Sequence, residues 1–282
     1  MNDLFLIIIG LIYLIIASIS DLKKREVLNW LCFSLIAFGL SYRAFLSVQL
    51  GDYRYFLSGL LGFAVFFVLA YVFYYGRIFA GGDAKLMMGI GAVLPFSLQI
   101  KENLLFILVF LFFLVLAGSI YGSLFSIFLA IRTKSFGREF IRQAARNKKL
   151  FLYAGFLALV LLVILFLFKS YLELIFLIFP AILLAFPLLY IYARAIEEAA
   201  MIVEMRAGDA TIGDWLYEDV KVRGKIIKPN WEGLSEKEVE MLKNYKGKIK
   251  IKQGIPFIPA FLFAFILYIF FRSYILAYLG IL

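Results

Sequence analysis

Histidine does not occur among the 282 residues, and cysteine occurs once, at Cys32. The first absence excludes a serine nucleophile activated by an imidazole and a metal held by an HExxH pair. The second excludes an intramolecular disulfide and a CxxC zinc site, and leaves the redox compartment undetermined. A serine–lysine dyad survives on residue count, but no serine and lysine stand together in an apolar setting. Charge is also scarce: 17% of residues are charged against 64% hydrophobic, and mean hydropathy is +0.95. Uncharged runs long enough to cross a bilayer follow one another along the chain. The expected fold is an all-α polytopic membrane protein in a lipid bilayer.

Measured against the roughly 20 residues a spanning helix needs, the apolar runs predict about eight transmembrane helices, within a range of six to eight. They lie near residues 4–20, 28–47, 56–76, 84–98, 104–131, 151–168, 171–193 and 256–279. The first run has no basic residue before it and leads into a second, so it reads as a genuine span rather than a cleaved signal. Lys169 and Ser170 alone join the sixth and seventh runs, which predicts a tight hairpin. Pro180 and Pro187 inside the seventh run are ordinary in a membrane helix. The expected organisation is a helical bundle over residues 1–193, a small cytoplasmic domain over 194–255, and a C-terminal transmembrane helix over 256–282.

With the N-terminus outside, 24 of the 29 lysines and arginines fall in inner segments. The outer segments hold only Arg43, Arg54, Lys101, Lys169 and Arg272. This asymmetry predicts a multi-pass protein of the cytoplasmic membrane, and it accounts for the net charge of +10 without a nucleic-acid partner. Residues 194–255 alternate charge with β-formers and turn signals, as in Val220 to Ile227 and Lys248 to Lys252, and read as mixed structure. Ala193 to Met205, with Glu197, Glu198 and Glu204, reads as the seventh helix continuing beyond the bilayer. Pro256 and Pro259 announce the last helix, since proline has no donor to lose in a first turn.

Two acids stand at the edges of apolar runs, both on the inner side. Asp21 ends the first run and precedes Lys23, Lys24 and Arg25. Asp83 follows Ala80, Gly81 and Gly82 and opens an apolar helix. An ionisable group near bilayer depth is costly and reads as functional. The glycines permit positive φ and let another chain lie close to the carboxylate. Taken singly, each acid is equally a helix cap. Taken together they supply what aspartyl proteolysis requires, one ionised carboxylate and one protonated partner sharing a site. An ion-coupled transporter or channel using the same acids, and a non-catalytic subunit of a pilus or flagellar assembly, remain open at this point. Gly118 and Gly122 form a GxxxG in the fifth run, a packing face with no oligomer implied.

The Asp21-Leu22-Lys23-Lys24-Arg25 run and Ala80-Gly81-Gly82-Asp83 resemble the two aspartate motifs of the type IV prepilin peptidases, the GxGD aspartyl proteases. Ala80 stands where that motif has its first glycine. Ile251 to Pro259 and Gly213-Asp214-Trp215-Leu216 resemble the archaeal branch, which processes preflagellins (archaellins) and prepilins. The resemblance implies a hydrolase with Asp21 and Asp83 as the catalytic pair and Ala80, Gly81 and Gly82 as the active-site loop. Its substrates would be prepilin or preflagellin precursors, cut after a basic leader at the cytoplasmic membrane face. No metal or organic cofactor is implied. Bacterial relatives that also methylate carry a four-cysteine zinc domain absent here, so methyl transfer is not expected. Helix-end electrostatics suggest Asp83 as base and Asp21 as acid, with the basic cluster after Asp21 opposing that assignment. Glu197, Glu198 and Glu204 are candidates for docking the basic leader.

Overall fold

A computed structural model of the chain describes residues 4–94, 100–168, 173–222 and 224–278. The helices of the first part are α1 (Leu4–Lys24), α2 (Asn29–Leu50), α3 (Arg54–Tyr75), α4 (Gly81–Val93), α5 (Ile100–Arg132), α6 (Phe136–Arg146), α7 (Lys148–Phe168) and α8 (Glu173–Ile196). A π-helical turn, Glu197–Met201, leads into β1 (Ile202–Arg206), β2 (Trp215–Leu216), β3 (Val220–Val222) and β4 (Lys225–Ile227). The chain closes with α9 (Glu236–Lys243), β5 (Lys248–Lys252) and α10 (Ile258–Tyr278).

Among the described residues, Leu4–Lys24, Asn29–Leu50, Arg54–Tyr75, Glu102–Arg132 and Ile178–Met201 are long and apolar enough to cross a membrane. The pair α6 and α7, bent by 63°, makes a sixth if it is one span. Five to six spans are therefore supported where the apolar runs predict about eight. The fourth run yields only the 13 residues of α4, roughly 20 Å of helix against a hydrocarbon core of about 30 Å. Part of that run, and the Lys169–Ser170 hairpin, lie outside the described residues. In the last run the helix is α10, 21 residues long, with Ile258–Arg272 as its continuously described apolar stretch.

Contacts divide the chain into two compact units, Met1–Leu124 with Gly254–Leu282, and Phe125–Gln253. In the first, α4 packs against both α2 and α3, and α1 packs against α10. Because α4 is apolar on all sides, it is buried on all sides: Leu86, Met87, Ile90 and Val93 are fully enclosed. Phe66 of α3, Phe110 of α5 and Tyr268 of α10 complete this core, their rings meeting at 5.5 and 5.9 Å. Lipid is as apolar as leucine, so helices associate there by close packing, and small residues permit it. A Cβ on Gly91 would stand 2.8 Å from the Gly62 carbonyl oxygen, and one on Gly39 3.0 Å from that of Ala92. Glycine at both positions lets α3 and α2 close on α4 backbone to backbone.

The second unit has its own core, including Ala207, Leu216, Val222, Leu242, Ile249 and Ile251. Its sheet runs β1–β5–β2, all antiparallel, and β3 pairs with β4 in a separate hairpin. Alternation along Lys248–Lys252 buries Ile249 and Ile251 and turns the lysines outward. The helical reading of Ala193 to Met205 holds only as far as Met201. Ile202 and Val203 begin a strand instead, because β5 pairs residue for residue with β1 and supplies the hydrogen bonds a helix would have made within itself. Glu204 thus lies on a strand, opposite Lys250.

Overpacking the α4 interface should cost about 1–3 kcal/mol. Gly91→Val is expected to lower the thermal unfolding midpoint in detergent. Gly122→Ala, where an added Cβ meets nothing within 4 Å, should leave it unchanged. Equal midpoints for the two variants would show that α4 is not held as tightly as this packing requires.

Candidate active site

Asp21 lies in the last turn of α1, which continues to Lys24. Its side chain is 7% exposed. At Oδ2 it accepts a hydrogen bond of 3.0 Å from the N–H of Ile258, the first residue of α10, and the Phe257 N–H also acts on the carboxylate. A helix start carries backbone donors without partners inside the helix, and here a carboxylate from another helix takes one of them. Pro259, the next residue, has no N–H to satisfy. Asp21 is therefore a helix cap, but of α10 rather than of its own helix.

The chain after Asp21 is tied to the same segment. Arg25 closes α1 with its N–H on the Asp21 carbonyl at 2.9 Å, in the left-handed region at φ 58°, a conformation that costs a non-glycine residue about 1–2 kcal/mol. Its guanidinium donates to the carbonyl of Gly254. Ser20 braces the turn through a 2.9 Å bond from Oγ to the Glu26 carbonyl.

Asp83 is the third residue of α4 and reaches back to accept the Ala80 N–H at 3.1 Å. This is the carboxylate half of a capping box, and the methyl of Ala80 cannot supply the other half. Gly81 and Gly82 do not adopt positive φ; the reversal that leads into α4 is made earlier, by Arg77 at φ 59°. Gly82 marks a close approach, since a Cβ there would stand 3.2 Å from Val27 Cγ2. The chain that follows Asp21 thus lies directly on the loop that carries Asp83. A 2.8 Å bond from Lys85 Nζ to Asn29 Oδ1 joins the same two segments.

Phe79 completes the junction. Its ring meets Phe257 at 5.8 Å and Phe261 at 5.4 Å, so the approach to Asp83 packs on the helix start that Asp21 caps. Gly118 of α5 makes room for Phe257, whose ring would stand 2.8 Å from a Cβ there. The segment after Asp21 and the loop before Asp83 thus pack on one another and on the start of α10. Ser18 Oγ, one turn before Asp21, is buried without a hydrogen-bond partner among the described residues. Among those residues no group of three or more acids or cysteines is placed to hold a metal ion.

The three candidate docking acids sit in the second unit, each with a partner there. Glu197 bonds Lys252 at 2.6 Å and Arg194 at 3.3 Å, and Glu204 bonds Lys248 at 3.4 Å. Glu198 accepts from the Tyr217 hydroxyl at 2.8 Å and holds that phenol above its ordinary pKa.

Arg25, Phe79 and Ile258 carry roles that sequence reasoning did not assign. Only Arg25 has a signal of its own, as the cation ending the cluster after Asp21. Ile258 acts through its backbone, which no side-chain pattern reveals.

Residues 8–130 match the type IV leader peptidase family. Both aspartates lie inside the matched stretch. The chain is also similar to preflagellin peptidases of three organisms. The match to that of Methanocaldococcus jannaschii is 42% identical over 88 residues, 31% of this chain and 37% of the relative. For Methanococcus maripaludis it is 36% over 98 residues, 34% of this chain and 42% of the relative. For Methanococcus voltae it is 37% over 87 residues, 31% of this chain and 37% of the relative. The chain thus spans about two fifths of the length of the curated relatives it matches.

Because an amide oxygen accepts as a carboxylate oxygen does, Asp21→Asn should keep the α10 cap and Asp21→Ala should lose it. The expected difference in stability is about 1 kcal/mol, within 0.5–2. Thermal unfolding of both variants in one detergent measures it, and an alanine variant as stable as the asparagine one would remove Asp21 from the capping role.

Proposed function

We propose that this chain is a membrane-embedded aspartic endopeptidase that removes the basic leader from prepilin-like or preflagellin precursors. Asp21 and Asp83 are the reacting pair, and Ala80, Gly81 and Gly82 form the loop that presents Asp83. The observation that carries this reading is that two acids from different helices stand at segments packed on one another, inside the stretch that matches a leader peptidase family.

The chemistry follows from two acids sharing a site. The ionised carboxylate takes a proton from water, and the water oxygen adds to the scissile carbonyl carbon. The protonated partner gives its proton to the carbonyl oxygen. Collapse of the tetrahedral intermediate breaks the C–N bond, and the amine leaves with the proton the base had collected. Asp83 sits at the start of α4 and Asp21 against the start of α10. The helix-end field that would favour the ionised form of one therefore favours it in both. Acid and base are states of the pair, which titrates as a unit.

The reaction is placed at the inner edge of the membrane, with the N-terminus outside. The excess of lysine and arginine in the segments on that side supports this orientation. Both acids stand at helix ends, as a cut at the boundary of an apolar precursor helix needs, and away from the midplane, where transporters bind their ions.

Detergent-solubilised protein incubated with a preflagellin precursor should yield the leaderless form, seen as a mass shift. Asp21→Asn and Asp83→Asn should each lower the rate by about 10²–10⁴-fold, the usual contribution of a positioned acid or base. Cleavage by either folded variant at the wild-type rate would refute the pair.

A further inference from the structure

Arg43 of α2 is 2% exposed inside the first unit. Its guanidinium donates from Nε to the Ala92 carbonyl at 3.1 Å and from Nη2 to the Leu94 carbonyl at 2.6 Å. Nη1 donates to Ser58 Oγ at 3.3 Å, and Ser58 in turn donates to the Tyr55 carbonyl at 2.9 Å. Ala92 and Leu94 stand at the C-terminal end of α4, which closes at Val93. The last carbonyls of a helix have no partner within it, and where the surroundings are apolar no water replaces one. Gly59 of α3 leaves the space this side chain fills, since a Cβ there would run into Arg43.

We infer that Arg43 is a positioning residue for Asp83, acting as a C-terminal cap for α4 delivered from α2. A planar guanidinium holds two carbonyls at once, and its charge suits the negative end of the helix. Asp83 lies eleven residues before Leu94 on the same short helix, roughly 16 Å away along the axis. With no turn between them to absorb a shift, the depth at which Arg43 grips one end sets where the carboxylate stands at the other. An ammonium in its place can point at one carbonyl but cannot span both. This inference rests on the proposed peptidase activity only for its kinetic arm.

The test compares Arg43→Lys and Arg43→Met with Arg54→Met, which removes a cation from the exposed Asp52 pair. Kinetics are corrected for the folded fraction. A misplaced catalytic group costs up to about a hundredfold, so kcat should fall about tenfold in the lysine variant and about a hundredfold in the methionine variant, with KM unchanged. The acid and base limbs of the pH profile should draw together, because carboxylates that have moved apart split their ionisation less. Arg54→Met should change neither. Where the methionine variant does not fold, the lysine variant decides.

A second readout needs no cleavage. Nitroxide labels at exposed Lys24 and Ile78, with Cys32 buried and unlabelled, report the separation of the α1 end from the approach to Asp83. That distance distribution should shift or broaden in both Arg43 variants. Folded variants with wild-type kcat and pH limbs would overturn the inference, and so would lost kcat at an unchanged label distance. If wild-type protein cuts no precursor, the proposed activity falls, and the label distance still tests what Arg43 does to α4.

Discussion

A helix end surrounded by apolar side chains exposes backbone donors or acceptors that water cannot reach, and each must be met by protein. Among the described residues of the first unit, three helix ends are met by a charged side chain, two of them buried and the third, at Ala80, exposed. Asp21 takes the N–H of Ile258 at the start of α10. Asp83 takes the Ala80 N–H at the start of α4. Arg43 takes the Ala92 and Leu94 carbonyls at the end of α4. The acids proposed to react are thus also acids the fold needs. Capping and chemistry do not compete as explanations here, because a carboxylate uses one oxygen for the backbone and has another.

This double use bears on how the pair would work. In each carboxylate Oδ2 is the oxygen tied to a backbone N–H, so neither side chain is free to rotate away from the cluster. The lattice behind them is aromatic and close: Phe79 on Phe257 and Phe261, Val27 on Gly82, Phe257 on Gly118. Preorganisation of this kind would hold an ionised and a protonated carboxyl at one site in a low dielectric, where two like charges would separate or lose a charge. It also removes the asymmetry that α1 and α4 suggest when considered alone. Asp21 near the end of its own helix looks disfavoured as an anion, yet the start of α10 is brought to it from a stretch more than 200 residues further along.

What could be read in advance divides along the same line. Asp21, Asp83 and the Ala80–Gly82 loop were singled out because ionisable groups at the edges of apolar runs are rare and costly, and the structure ties each acid to a helix start. The mixed structure after α8 was legible from charge alternating with β-formers, and Lys248–Lys252 is a strand. The number of spans was not, because α4 has the composition of a spanning helix without its length. Nor was the use of the glycines. Gly81 and Gly82 permit positive φ, but the reversal belongs to Arg77, and Gly82 serves the passage of Val27. Contacts made by backbone atoms, such as those of Ile258 and Ala92, leave no trace in a pattern of side chains.

The same distinction changes the weight of the charge argument for orientation. Arg43 was counted with the outer segments, but it is a buried cap inside the bundle and says nothing about a loop. Lys248, Lys250 and Lys252 were counted with the inner ones, yet each pairs with a glutamate of the same unit, Glu204, Glu218 and Glu197, and long polar segments weigh little in such a count. The orientation signal therefore concentrates in two short segments, Lys23 to Arg25 and Arg132 to Lys149, where exposed cations begin in the last turns of α1 and α5. Both point the same way. The first of them begins two residues after Asp21, so the charges that carry the orientation argument stand beside one member of the proposed pair.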